Sequence, residues 1–208
     1  MGMSATLKAF LQEAKVRYET QRHPLAYTAQ EVAAAQHVPG RQVAKCVLVK
    51  TDRGPALAVL PAIHRINLKQ LKSLLQARRA TIATEADIKQ AFPDVDVGAM
   101  SAFGNLYHVP VVVDQTLEAA QEIVCNAGSH TETIKLRYED FARLVKPTVG
   151  PFGQPISPPA STSSRKKSSG RKTTRKASRS STRRPAAETR RASAHPKRAA
   201  RPRSRRHR

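Results

Sequence analysis

Charge is divided so unevenly along this chain that its two parts cannot fold by the same rules. Residues 151–208 carry 19 basic side chains against one acidic (net +18), whereas residues 1–150 carry 18 against 14 (net +4), which together give the +22 of the 208-residue chain. A segment so charged, built largely from Ser, Thr, Pro, Ala and Arg, cannot bury enough apolar surface to offset the entropy of ordering it. The expected organisation is therefore one folded domain over 1–150 and a disordered basic arm over 151–208. Gln154-Pro-Ile-Ser-Pro-Pro159 reads as a stiff linker at the boundary. The arm resembles histone-like tails: it can attract phosphates, but it has no aromatics beyond Phe152 with which to stack on bases.

The remaining 150 residues suffice for one sizeable core, filled mainly by aliphatic side chains because the chain has no Trp. No run of 18 apolar residues exists and the first residues lack a signal-type cleavage site, which favours an unexported, soluble protein without a membrane partner. Two cysteines, Cys46 and Cys125, form neither a disulfide framework nor a CxxC pair and fit a reducing cytoplasm.

Local signals divide the domain into short elements. Ser4 is a suitable N-cap for a helix that places Leu7, Phe10, Leu11 and Ala14 on one face. Thr28 and Glu31 make a capping box for a second helix, which Pro39-Gly40 should stop. Residues 44–49 and 56–60 flank a turn as a hairpin. Asn67 and Thr84 with Asp87 announce two more helices, Val109–Val113 a buried strand, 122–125 and 131–136 two further strands, and Tyr138–Val145 a closing helix. Strands and helices alternate without a steady βαβ repeat, so the expected class is α+β, a single domain with a mixed or antiparallel central sheet flanked by helices.

The common catalytic signatures are missing: there is no Walker A loop, GxGxxG, HExxH or GxSxG. His23, His37, His64, His108 and His130 are scattered without metal-ligand spacing, so no metal or cofactor is expected. Cys46 lies in a strand-like run, where a small buried thiol is the ordinary outcome. Three features stand out. Lys45 interrupts an apolar strand and either snorkels to solvent or points into a cleft. The Gly-punctuated loop Val97–Asn105 either merely connects or lets main-chain N–H groups approach a ligand. His130 lies in a small-residue turn, Asn126–Thr131, as a plain turn residue or as a functional imidazole.

A resemblance links these features. His23-Pro24 with Tyr27–Ala33, the Ala44-Lys45 strand, Val97-Gly98 followed by Phe103–Tyr107, Val109–Asp114, and Ala127–His130 with Ile134–Leu136 occur in an order and spacing similar to the YbaK/prolyl-tRNA synthetase editing-domain family. The likeness spans essentially all of 1–150. It implies a YbaK-like fold and trans-editing, the metal-free hydrolysis of the ester joining a wrong amino acid to the terminal ribose of a mischarged tRNA. It implies roles for Lys45 on the phosphate or ribose of the terminal adenosine, Gly98 holding the substrate carbonyl and water, and His130 facing the aminoacyl group. Tyr27, Ser101, Phe103, Gly104, Asn105, Gly128 and Ser129 follow as substrate contacts. One departure concerns the family's GxxxP loop, which here ends in Ala102. A small amino acid is the expected acyl group, and the arm is expected to add RNA affinity or to touch other nucleic acid. The competing reading is an inactive nucleic-acid-binding structural protein that relies on the arm.

Overall fold

The computed structural model describes residues 2–156; the basic arm beyond them lies outside the described residues. In chain order the elements are α1 (Ala5–Glu13), β1 (Tyr18–Arg22), α2 (Ala29–Ala35), β2 (Ala44–Thr51), β3 (Gly54–Pro61), β4 (His64–Ile66), α3 (Leu68–Leu74), β5 (Ala80–Ile82), α4 (Glu85–Ala91), β6 (Val111–Asp114), β7 (Glu122–Ser129), β8 (Glu132–Arg137), α5 (Tyr138–Val145), β9 (Thr148–Gly150) and β10 (Gly153–Pro155). A five-stranded sheet has the order β5-β2-β3-β6-β9, a three-stranded sheet β1-β8-β7, and a small ribbon pairs β10 with β4. β3–β6 and β6–β9 are parallel and the other strand pairs antiparallel. This is the α+β class with a mixed sheet that the sequence predicts.

The β2–β3 hairpin explains where the core sits. Leu48, Leu57 and Val59 point into the larger apolar cluster with Leu7, Leu11, Ile134 and Phe141, while Val49, Ala56, Ala58 and Leu60 point to a second cluster with Leu71 and Phe152. Period-two alternation thus buries both faces of the hairpin, and β3 reads as a nearly continuous apolar run. Each fully buried Leu or Phe contributes about 1.5–3 kcal/mol.

The structure departs from the sequence reading at identifiable places. α2 ends at Ala35 rather than running to Pro39, because His37 adopts a left-handed φ of 54°. The segment 97–105 passes through the interior: Ala99, Met100, Ser101, Ala102 and Phe103 are all buried. Asn126–Ser129, expected as part of a turn, is strand, with a register shift between Asn126 and Ser129 that leaves only His130 and Thr131 at the corner. The region read as a stiff linker instead contributes β10, so the described fold runs past residue 150.

Candidate active site

A polar cavity of about 230 Å³ opens where three parts of the chain converge: the start of α2 with the residue before its cap (Gln30, Tyr27), the first residues of β2 (Lys45, Cys46), and Gly98 with Asn126 of β7. The α2 wall is fixed from within. Thr28 Oγ1 accepts from the Glu31 N–H at 3.2 Å, and the Glu31 carboxylate accepts from the Thr28 and Tyr27 N–H groups at 3.1 and 2.9 Å. Those main-chain donors hold the Glu31 carboxyl below its usual range. Gln30 Nε2 then donates to the Ala62 carbonyl at 2.8 Å, tying the wall to the end of the hairpin.

Lys45 is the cation of the site. It pairs with Leu60 across the hairpin and shares a strand face with Val47 and Val49. Its Nζ donates to the main-chain carbonyl of His64, and burial pushes its pKa down. No carboxylate pairs with it among the described residues, and burial is the one cause of its shift, so the ammonium keeps donors beyond the one given to His64 while the residue lines the cavity. The snorkelling alternative is therefore replaced by an inward, carbonyl-anchored lysine.

Gly98 faces the cavity with φ of +89°, a conformation that disfavours any side chain. Behind it stands His130. The ring nitrogens approach two main-chain carbonyl oxygens, Nε2 that of Val97 at 2.9 Å and Nδ1 that of Ala26 at 3.2 Å. The Tyr27 ring lies 4.9 Å from the imidazole, and Tyr27 is 66% exposed at the mouth. His130 thus braces the Gly98 loop against the loop before α2, and it supports the cavity from behind rather than lining it.

The other expected contacts sit elsewhere. Phe103 is fully buried, its ring centroid 6.0 Å from that of Phe10 and 5.5 Å from that of Phe141. Ser101 is buried in the same stretch. Gly104 is a packing glycine, since a Cβ there would lie 2.9 Å from the Val109 carbonyl oxygen. Gly128, at φ of +108°, packs on Ser4, and a Cβ there would come within 2.9 Å of the Ser4 Cβ. Ser129 Oγ and Asn105 Oδ1 are buried without partners. These residues shape the core behind the cavity instead of lining it. Gln30 and Asn126 were not singled out by sequence. Asn126, a polar residue within the apolar β7 run, was the legible signal, whereas Gln30 emerges only from helix orientation.

A larger cavity of about 520 Å³ lies between the hairpin and α4, yet it contains none of the expected site residues, and its lysine, Lys50, is paired with Asp87 at 2.8 Å. Chemistry rather than size therefore selects the smaller one. Burial raises both thiols, Cys125 to about 11 and Cys46 well above its ordinary value, so neither is an activated nucleophile. No group of three His, Cys, Asp or Glu side chains that could hold a metal ion occurs among the described residues. The cavity can hold an anionic or carbonyl-bearing group against a lysine and a glycine backbone.

Comparison with known proteins bears on the family of the chain. The aminoacyl-tRNA editing domain model matches residues 23–144, a span that includes Lys45, Gly98 and His130. The chain is 27% identical over 152 residues to the prolyl-tRNA editing protein ProX of Acetoanaerobium sticklandii, covering 70% of this chain and 92% of that one. It is 28% identical over 155 residues to the multifunctional Ser/Thr-tRNA deacylase ProXp-y of Escherichia coli K12, covering 64% and 92%. A proline–tRNA ligase of Streptococcus thermophilus matches at 26% identity over 72% of this chain but only 25% of its own length. Among solved structures, hypothetical protein APE2540 superposes with a TM-score of 0.66 at 15% identity over 72% of this chain and 99% of its own. A candidate trans-editing enzyme for prolyl-tRNA synthetase superposes with 0.64 at 16% identity over 73% and 99%. At such identities these two structures speak for the fold alone. With the family model matching more than half of its length, the chain belongs to the aminoacyl-tRNA editing domain family.

Proposed function

We propose that this chain deacylates mischarged aminoacyl-tRNA by hydrolysing the ester at the terminal ribose, without a metal, and that its basic arm raises affinity for RNA. The observation that carries the reading is Lys45: a half-buried ammonium with spare donors, facing a cavity whose other wall is the positive-φ backbone of Gly98. In this reading Lys45 holds the phosphate or ribose oxygens of the terminal adenosine, and the main chain at Gly98 holds the ester carbonyl where negative charge develops. Water adds to the carbonyl carbon, the ester C–O bond breaks, and the ribose oxygen takes up a proton as the amino acid leaves. His130 keeps Gly98 in place through its contact with the Val97 carbonyl. A 230 Å³ cavity, below the range of drug-sized pockets, suits a small aminoacyl group.

Ala102 bears on whether the loop is rigid enough for this chemistry. It is fully buried, as are Ala99 and Phe103, so packing supplies the stiffness that a proline ring would otherwise give. The decisive experiment incubates the full chain with a panel of tRNAs charged with the wrong amino acid and compares Lys45→Ala. Release of a small amino acid, reduced at least about 100-fold in the variant, supports the deacylase. Intact tRNA binding with no release from any member of the panel favours the nucleic-acid-binding protein without catalysis.

A further inference from the structure

The His64 carbonyl that anchors Lys45 belongs to a residue which is itself held in an unusual way. Asp114, the last residue of β6, is 1% exposed. Its carboxylate accepts from the N–H groups of Phe152 at 2.9 Å, Gly153, and Thr116 at 3.2 Å, and from the Thr116 hydroxyl. Burial alone would push this carboxyl up, but the Thr116 hydroxyl and the main-chain donors outweigh it and hold its pKa below the usual range. Close approach needs a glycine at 153, where a Cβ would fall 2.8 Å from the carboxyl carbon.

The protons available to these groups fix the direction of the hydrogen bonds. Thr116 has a single hydroxyl proton and gives it to Asp114, so at 3.2 Å from His64 Nδ1 its oxygen can only accept. His64 therefore carries its proton on Nδ1, and its ring, in a residue only 8% exposed, is held in one orientation. Asp114 also holds His64 from the other side. The amides of Phe152 and Gly153 lead into β10, whose Pro155 pairs with His64 in β4. Ring and strand of His64 are thus both referred to one carboxylate.

We infer that Asp114, Thr116 and His64 act as positioning residues for Lys45, a relay that sets where the ammonium stands in the cavity by fixing the carbonyl it binds. The inference rests on the proposed role of Lys45. The same carboxylate closes β10 through the amides of residues 152 and 153 and caps the short turn Gln115–Leu117 through the Thr116 N–H; neither task needs the Thr116 hydroxyl, and that hydroxyl is the group that meets the buried imidazole.

Thr116→Val in the full chain leaves the main-chain donors to Asp114 and removes the bridge; Thr116→Ser keeps it. Deacylation kinetics should show kcat lowered about tenfold in the valine variant, with KM for tRNA little changed and kcat restored in the serine variant. In a Lys45→Ala background the valine change should cause no further loss. A second readout needs no activity: acylation of Lys45 by an amine-reactive ester, followed by peptide mass spectrometry, should be several-fold faster in Thr116→Val. His64→Phe keeps the carbonyl and the bulk of the ring, and it carries the same expectations should Thr116→Val not fold. Unchanged kcat and labelling in folded variants, or an equal loss of activity with and without Lys45, would overturn the relay. A wild-type chain that releases no amino acid would instead sink the deacylase reading, while the labelling comparison still decides the relay.

Discussion

A lysine held half-buried by one carbonyl weakens the fold that contains it, because the charged form loses water and gains no carboxylate. The pKa of Lys45 is lowered in the folded state, so the unfolded chain binds more protons between that depressed value and the ordinary lysine value. Stability therefore rises with pH through this window. Lys45→Met should raise the thermal midpoint at neutral pH while removing deacylation, and its advantage should shrink as pH climbs toward the ordinary lysine pKa; melting curves of both proteins across that range check the sign. Gly98→Ala forces a Cβ onto a φ of +89° and should destabilise the fold by about 1–3 kcal/mol. The nearest side-chain atom to that Cβ is His130 Cε1 at 3.5 Å, an ordinary contact, so the penalty arises from backbone strain, readable in urea unfolding. Lys45 was legible as an oddity in sequence because a charge breaks an apolar strand. Its direction was not, since the deciding carbonyl lies nineteen residues further on, at His64.

Helices with explicit start signals were legible to within a residue at their N-termini: Ser4, Thr28, Asn67 and Thr84 each cap as their side chains require. Short polar strands were not. β1 reads Tyr-Glu-Thr-Gln-Arg with almost all of it exposed, so it shows no apolar alternation to detect, and β4, β5, β9 and β10 have three residues each. The buried path of 99–103 was hidden for another reason: small residues suggest a loop, and only the Phe10 and Phe141 rings that trap Phe103 reveal it as core. Capping leads to two tests. Thr28→Ala should lower stability by about 1 kcal/mol, measured by chemical denaturation, and should loosen the cavity wall at Gln30. Asp87 completes the capping box of α4 by accepting from the Thr84 N–H, and the Lys50 ammonium with Thr84 holds its pKa at about 2. Its contribution is thus present above the ordinary carboxylate range and is lost as pH falls toward about 2. Asp87→Asn should flatten that part of the acid-unfolding curve.

For the molecule as a whole, charge and chemistry are assigned to different stretches of chain. The near-neutral part carries the candidate site, and the strongly basic part holds the charge on which the proposed attraction to RNA rests. Because β10 ends at Pro155, a truncation that removes the arm should begin after Ile156 rather than at residue 151. Such a chain should keep its deacylation rate at saturating tRNA. Its plot of log affinity against log salt should become shallower by about 0.7 for each single-strand phosphate that the arm neutralises in the full chain. Equal slopes for the two chains would show that the arm does not engage the RNA.

The pairing of β1 with β8 also has a consequence in time. Arg22 faces Glu132, so a ribosome adding about 5–20 residues per second needs roughly 5–20 s to supply the partner after β1 has emerged. Throughout that interval the N-terminal strand has no neighbour to bond. An apolar strand left waiting in this way invites other nascent chains to pair with it, whereas Glu19, Thr20, Gln21 and Arg22 do not. The polarity that conceals β1 in the sequence is what makes its long wait during synthesis safe.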